Sequence, residues 1–261
     1  MSNEPFPQIL LTNDDGYQSA ALVSLARALS KVARVLVIAP ETEQSGVSHA
    51  FHGFLGHEVR RVPGDHPFEF FAMTGTPADC TKMGLRNLFH DRPIACVISG
   101  PNRGENAGVS SLYSGTVAGA REAALWGCPG LALSLSADAT EKSLSELCRF
   151  AAKFVELALY REISPNTIWN VNFPTETVPF RGYRAAVQNL SMFTDRYVER
   201  DGKYFLEGWK SSEHFIADSD DDMLLRGYAT VTPMTIDQTA RSELSAVEKT
   251  IAKSFGKLEL E

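Results

Sequence analysis

The sequence predicts an α/β fold: a Rossmann-like, mostly parallel sheet flanked by helices, with an antiparallel β extension and a C-terminal helix. Three observations carry this. The apolar runs are short and continuous, as strands buried on both faces require. Segments with helical spacing separate them, which makes strand–helix–strand units. After Arg181 the texture changes to short β-like pieces between polar turns. The predicted division is 1–180 for the α/β core, 181–239 for a β-rich extension or oligomerisation arm, and 240–261 for the C-terminal helix.

The first strand is the apolar run Ile9, Leu10, Leu11. Leu22, Leu25, Leu29 and Val32 recur at helical spacing behind it. The run 35–39 is the next strand, ended by Pro40. Segments 59–62 and 68–71 flank Pro63, Gly64 and Pro67 and read as two strands around a turn. A helix is expected over about 79–89, with Pro77 in its first turn and Thr76 as N-cap. A strand at 95–99 leads into a loop over 100–114 and then a helix over about 115–126, stopped by Gly127 and Pro129. Strand 131–135 precedes a long helix, about 141–160, whose apolar side carries Leu144, Leu147, Ala151, Phe154 and Ala158. Segment 168–173 is expected to be the last core strand. Beyond it, β-like pieces fall at 183–190, 196–198, 204–209 and 224–231, and the acidic stretch 217–222 reads as a solvated turn. One reading of this region is an arm that reaches a second subunit. The tail 242–255 is amphipathic, with Leu244, Val247, Ile251 and Phe255 on one face.

With 261 residues, 44% of them hydrophobic, the chain can bury a full core. A net charge of -7 and the lack of a basic stripe argue against duplex nucleic acid as a partner. Cys80, Cys96, Cys128 and Cys148 form no CxxC pair and lie in apolar contexts. They read as free thiols in a reducing compartment. The first five residues lack the character of a secretory signal, and no apolar run is long enough to span a bilayer. A cytoplasmic protein is therefore expected.

Polar residues concentrate in four loops. The first is Asn13, Asp14, Asp15, Gly16, directly after a strand. Adjacent carboxylates repel, and a divalent cation bound by hard oxygen donors relieves that repulsion. Both can reach one ion only if the chain turns there, which Gly16 permits. The alternative is an ordinary Asx-rich turn. The second loop, 40–46, contains Ser45. The third, 74–79, leads into a helix. The fourth carries Asn102, Gly104, Asn106 and Gly108, and continues to Ser114, Gly115 and Thr116 at a helix start. Backbone N–H groups and hydroxyls at a helix N-terminus suit a phosphate; the plainer reading is a glycine-rich connection with capping residues. In a parallel α/β sheet such loops gather on one rim. Together they point to metal-assisted phosphoester hydrolysis, in which a metal-activated water attacks the phosphoryl group.

Other chemistries lack their residues. The chain has no P-loop, no dinucleotide GxGxxG after a strand and no GxSxG. Its aspartates are adjacent, which fails the DxD pattern of haloacid-dehalogenase phosphatases. His49, His52, His57 and His66 lack metal-ligand spacing and are assigned to surface or packing roles, although His49 or His52 could line the pocket. Lys82 and Arg103 are candidates for contact with an anion, or simply solvated charges.

The ordered motifs Leu11-Thr12-Asn13-Asp14-Asp15-Gly16, Ala39-Pro40 with Ser45-Gly46, Thr74-Gly75-Thr76-Pro77-Ala78-Asp79-Cys80, Ser99-Gly100-x-Asn102-x-Gly104-x-Asn106-x-Gly108 and Tyr113-Ser114-Gly115-Thr116-Val117 carry a resemblance. Val231-Thr232-Pro233 and Asp237 extend it. The chain resembles the SurE survival-protein family of nucleotidases. That resemblance implies a 5′-nucleotidase that hydrolyses nucleoside 5′- or 3′-monophosphates with one divalent metal ion per subunit (Mg, Mn or Ca). It implies metal ligation by Asp14, Asp15, Ser45 and Asn102, and phosphate contacts from Asn106, Ser114 and Thr116. Asp14 and Asn106 are the expected catalytic residues, with Asp14 as the better candidate for a base. It also implies a homodimer or homotetramer with a swapped C-terminal segment. Two departures stand out: Pro101, where an aliphatic residue is usual, and 108–112, which replaces an acidic stretch. Two competing readings, a nucleotide-binding protein without turnover and a nicotinamide-dependent oxidoreductase, are disfavoured by the retained ligands and by the missing dinucleotide motif.

Overall fold

The structure is a computed structural model that describes residues 6–212 and 215–255. The first five residues, read above for a leader, and the tail after Phe255 lie outside the described residues, as does the side chain of Phe255. The elements run β1 Gln8–Thr12, α1 Ala20–Leu29, β2 Arg34–Pro40, β3 Val59–Arg61, β4 Glu69–Met73 and α2 Pro77–Met83. They continue with β5 Ile94–Arg103, α3 Ser110–Tyr113, α4 Gly115–Leu125, β6 Gly130–Leu135, α5 Glu141–Glu156 and β7 Thr167–Asn172. The C-terminal part holds β8 Gly182–Ala185, β9 Arg196–Arg200, β10 Lys203–Glu207, α6 Asp220–Leu225, β11 Tyr228–Thr235 and α7 Leu244–Phe255.

Nine strands form one sheet in the order β3-β4-β2-β1-β5-β6-β7-β11-β8. From β4 to β7 every pairing is parallel. The continuous apolar strands have a direct cause. Successive side chains alternate between faces, and both faces are covered. Ile9, Leu11, Val35 and Val37 pack with Leu22, Leu25, Leu29, Leu147 and Phe154 from α1 and α5. Leu10, Leu36 and Ile38 pack instead with Cys80 and Ala123 from α2 and α4. Each fully buried leucine or isoleucine contributes roughly 1.5–3 kcal/mol of burial free energy. The small residues of α4 let it lie close: a Cβ on Gly119 would stand 2.6 Å from Ser99 Oγ.

Helix starts follow local chemistry. Ser19, Thr140 and Ser219 cap α1, α5 and α6 through their hydroxyls. Thr76 caps α2 in a full capping box with Asp79, and Pro77 occupies the first turn as expected. The segment after α2 is a π-turn over Gly84–Leu88 rather than more α-helix. Helix α5 stops at Glu156, because Ala158 takes a left-handed conformation at φ 53, and Leu159–Glu162 is a 3-10 turn. All four cysteines are free. Among the described residues no helix is long and apolar enough to cross a membrane.

Three expectations need correction. Strand β7 is not the last core strand. Strand β11 pairs antiparallel beside it and β8 pairs with β11, so the chain after Arg181 completes the central sheet. Only β9 and β10 form a separate hairpin. Segment 224–231 is the end of a helix and the start of a strand, with Gly227 at φ +84 making the turn between them.

The third correction concerns the acidic stretch, which is a capped helix start and not a solvated turn. Asp220 and Asp221 are buried. Asp220 accepts hydrogen bonds from the backbone N–H of Gly108 at 2.7 Å and of Asn189 at 2.9 Å. Asp221 accepts from Lys210 Nζ at 2.7 Å and Asn189 Nδ2 at 2.9 Å. Hydrophilicity alone suggested exposure; the backbone donors of a distant loop are what bury these carboxylates. Replacing Asp220 with Ala strands the buried N–H groups of Gly108, Asn189 and Asp221, each costing about 1–3 kcal/mol. Asp220→Ala is expected to lower stability by about 3 kcal/mol in urea unfolding. A loss under about 0.5 kcal/mol, the range of ordinary surface changes, would contradict this account.

Candidate active site

The sheet order reverses direction between β1 and β5, since β2 lies on one side of β1 and β6 on the far side of β5. Ligands of open α/β sheets bind at such switch points, beyond the carboxyl ends of the strands. Asn13, Asp14 and Asp15 leave β1 there, and Asn102 and Arg103 end β5 there.

Asp14 is 3% exposed. Its carboxylate is held by Thr116, the second residue of α4. Thr116 Oγ1 donates to Oδ1 in a short contact, and the Thr116 backbone N–H donates to Oδ2 at 3.0 Å. Burial raises the Asp14 carboxyl above the usual carboxylate range, and the Thr116 donors pull it partly back. Gly115 leaves room for this contact: a Cβ there would stand 3.1 Å from Asp14 Cβ. Asp15 is half-buried and is lifted to about 6 by desolvation, then by the charges of Asp14 and Glu43, against the opposing charge of Arg103.

The second loop is tied directly to the first. The Gln44 N–H donates to the Asp14 carbonyl at 2.7 Å, and the Tyr17 N–H to the Pro40 carbonyl at 2.8 Å. Gly16 sits at φ +89 against Pro40, a conformation L side chains rarely adopt. Ser45 is exposed and its hydroxyl donates to Glu43 Oε1 at 2.7 Å. Asn102 is presented by a bulge: β5 and β6 pair Ser99 with Ala132 and then Asn102 with Ser134, so β5 holds one extra residue. Pro101, the departure noted above, lies in that bulge after a cis peptide bond. Asn102 Nδ2 donates to the Gly104 carbonyl at 2.7 Å, which fixes the amide and leaves its oxygen as the end open to a ligand.

Asn106 is gripped on three sides. Its N–H donates to Asn172 Oδ1 at 2.7 Å, its Nδ2 to Ser134 Oγ at 2.9 Å, and its carbonyl accepts from Asn170 Nδ2 at 2.8 Å. Ser114 caps α4, its Oγ accepting from the Val117 N–H at 3.0 Å, and its hydroxyl proton remains able to donate. Asp14, Ser45, Asn102, Asn106 and Ser114 line one cavity of about 270 Å³ together with Arg103. Asp15 lines a neighbouring hollow that shares Asn102 and Arg103 with it. The structure therefore brings six of the seven predicted site residues to one rim and into direct relation, and spends both Thr116 donors on Asp14.

The other candidates lie elsewhere. Lys82 pairs with Glu122 at 3.3 Å and sits 3.9 Å from the Phe51 ring centroid, away from this cavity. His49 also bonds Glu122, at 2.9 Å, and His57 bonds the Thr74 carbonyl at 2.6 Å. His66 stacks on Phe68. Neither His49 nor His52 lines the cavity. Arg103 does. Sequence reasoning missed Glu43, Ser134, Asn170 and Asn172. Glu43 carried a signal in its place two residues before Ser45; the others became visible only when β6 and β7 were laid beside the fourth loop.

The donor set fits a hard divalent cation. Asp14, Asp15, Ser45 and Asn102 offer oxygen, and the charge of Asp14 helps raise the proton affinity of Asp15. Among the described residues no three His, Cys, Asp or Glu side chains gather as a conventional metal cluster. A site here depends on the serine hydroxyl and the asparagine amide to complete the set.

Comparison with known proteins is consistent across three measures. The family described as Survival protein SurE matches residues 9–195. The chain is 37% identical to the 5′-nucleotidase SurE of Pseudothermotoga lettingae over 249 residues, covering 92% of this chain and 95% of that protein. It is 37% identical to the 5′-nucleotidase SurE of Fervidobacterium nodosum over 250 residues, with 92% and 95% covered. The crystal structure of the SurE protein from Aquifex aeolicus superposes with a TM-score of 0.80 at 30% identity, covering 94% of this chain and 99% of that one. With the polar loops gathered at the β1/β5 switch point and these relatives spanning nearly the whole chain, the protein belongs to the SurE family.

Proposed function

We propose that this protein is a metal-dependent phosphatase that hydrolyses nucleoside 5′-monophosphates, and also 3′-monophosphates, to nucleoside and phosphate. The observation that carries the reading is the shared rim: two adjacent carboxylates, Ser45 and Asn102 beside the N-terminus of α4. Relatives named 5′-nucleotidases, 37% identical over most of the chain, support it.

Asp14, Asp15, Ser45 and Asn102 would hold the divalent ion, a hard cation of the magnesium, manganese or calcium kind. When bound, such an ion neutralises phosphate charge and lowers the pKa of a water. The chain's own residues do the rest. Ser114 and the start of α4 place donors and a positive dipole end against the phosphoryl oxygens, while Thr116 acts through Asp14, on which both its donors are spent. Asn106, immobilised by Ser134, Asn170 and Asn172, sets the position of that group. Arg103 adds a positive charge at the rim. Asp14, with its proton affinity raised by burial, is suited to take a proton from the attacking water. As the water oxygen bonds to phosphorus the P–O ester bond breaks, and the departing nucleoside oxygen takes up a proton from solvent to leave as an alcohol.

The exposed apolar side chains of β9 and β10, Tyr197, Tyr204 and Phe205, together with Leu244, Val247 and Ile251 on α7, support a dimer or tetramer that exchanges this C-terminal region. Light scattering should give a mass of two or four chains, and deleting 196–207 should reduce it to one. A monomeric full-length chain would refute the exchange.

Two further outcomes test the site. Asp14→Asn should abolish phosphate release from nucleoside monophosphates while leaving the fold intact; near-normal turnover of this variant in a metal-saturated assay sinks the assignment. The second concerns pH. Asp15 has a carboxyl raised from 3.8 to about 6. Its contribution to stability is therefore full below pH 3.8 and lost as pH rises through about 6. A cation competes with that proton, so metal affinity should fall as pH drops below about 6. Calorimetry at pH 6 in buffers of different ionisation enthalpy should detect proton release on metal binding, and Asp15→Asn should reduce it. Metal affinity independent of pH between 5 and 7 would contradict the proposal.

A further inference from the structure

The third loop, 74–79, stands among the ordered motifs but takes no part in the chemistry of the rim. Its partners lie in the second loop and its continuation. Residues 41–58, between β2 and β3, hold no helix and no strand, and none of them is buried. Loops longer than about 12–15 residues without structure of their own are usually functional or disordered. Phe54 is 95% exposed and Leu55 82%, so apolar packing does not fasten the tip to the body. Polar anchors hold this strap instead, and Ser45 lies near its start.

The near anchors flank Ser45. The Gln44 N–H bonds the Asp14 carbonyl on one side, and Ser48 reaches the junction of α3 and α4 on the other. The Ser48 N–H donates to the Tyr113 carbonyl at 2.9 Å, and its Oγ to the Leu112 carbonyl at 2.6 Å. Ser48 makes both contacts from a left-handed conformation at φ 54, a state uncommon for residues with a Cβ. His49 follows with its bond to Glu122.

The far anchors belong to the third loop. Asp79 is 2% exposed. Its Oδ2 accepts from the Thr76 N–H at 2.9 Å, the ordinary bond of a capping box. Its Oδ1 accepts from the His52 N–H at 3.0 Å, across 27 residues of sequence. The Thr76 hydroxyl donates to the Ala50 carbonyl at 2.7 Å. His57 Nδ1 donates to the Thr74 carbonyl at 2.6 Å, and Thr74 Oγ1 accepts from the Glu58 N–H at 2.9 Å. Gly75, at φ +136, leaves room for these contacts: a Cβ there would stand 3.0 Å from the His57 ring and 3.1 Å from Asp79 Cβ. A helix cap needs one oxygen of Asp79, and the second serves the strap.

We propose that the third loop is a clamp that keeps Ser45 in register with Asp14, Asp15 and Asn102, and that Asp79 is a positioning residue for metal binding. Asp79 acts through the strap and does not touch the ion. This rests on the metal reading of the site. A neutral hydroxyl attracts a cation less than a carboxylate does, and this one sits on a loop with no buried residue. Ordering such a loop at the moment of binding lowers affinity; a loop ordered beforehand by Asp79 avoids that loss.

The test is calorimetric titration of the full-length protein with manganese. Asp79→Asn turns one acceptor oxygen into a donor, so the N–H of Thr76 or of His52 loses its partner. It should weaken manganese binding about tenfold, the lower end for residues that support metal ligands. Ser48→Ala removes a near anchor with the capping box intact, and should also weaken binding. In a Ser45→Ala background neither change should weaken binding further, because the ligand through which they act is gone. Amides of residues 46–56 in the metal-free protein should exchange faster in Asp79→Asn than in the wild type. Affinity unmoved by both variants overturns the clamp. So does a loss that adds in full to that of Ser45→Ala, the mark of general damage to the fold. Strap amides that exchange equally fast in the wild type and Asp79→Asn overturn it as well. A wild-type protein that binds no manganese sinks the metal reading instead, and the exchange rates then decide by themselves whether the third loop holds the strap.

Discussion

The contact between the Asp14 carboxylate and Thr116 is the constraint on which the rest of the site depends. A nearly buried carboxylate is costly without donors, and here two come from a single residue at the start of α4. This contact joins the end of β1 to the helix that follows the fourth loop, across 102 residues of sequence. It also explains Gly115 and Gly119, because α4 must approach the strands too closely for side chains at those positions. The burial that makes the contact necessary also raises the proton affinity of Asp14. One geometric fact thus serves packing and chemistry together.

The fourth loop depends on the C-terminal half of the chain. Asn170 and Asn172 on β7 grip Asn106 from below, and Asp220 on α6 holds the Gly108 N–H. Lys210 reaches the Ala107 carbonyl from the base of the β9–β10 hairpin. The region after Arg181 therefore completes the sheet and braces the loop that carries Asn102 and Asn106. A short path of contacts, Phe193 bridged to Lys210 and Lys210 bonded to the Ala107 carbonyl, joins the hairpin base to this loop.

Much of this was legible in the chain. Ile9–Leu11, 35–39 and 131–135 are uniformly apolar because helices cover both faces of the sheet, so the pattern itself announced a parallel α/β fold. Thr76, Pro77 and Asp79 spelled out a capping box through purely local bonds. The residues that the fold gathers on one rim were legible for a similar reason: two carboxylates at a strand end and a glycine–asparagine loop before a helix start concentrate polar groups where a parallel sheet ends. The acidic run at 217–222 misled, because its polarity reports affinity for partners and not their source. Water would satisfy those carboxylates equally well, and only the fold supplies the Gly108 and Asn189 donors.

The sequence by itself determined the elements of the parallel core, the family and the identity of the polar residues, since hydrophobic period, capping and loop chemistry act over a few neighbouring residues. The tertiary structure decided which of those residues meet. It set Thr116 against Asp14, turned Asn170 and Asn172 into supports for Asn106, and buried Asp220 beneath Gly108. Each of these joins segments far apart in the chain. Such contacts are selected by strand order and helix packing, which no local pattern encodes.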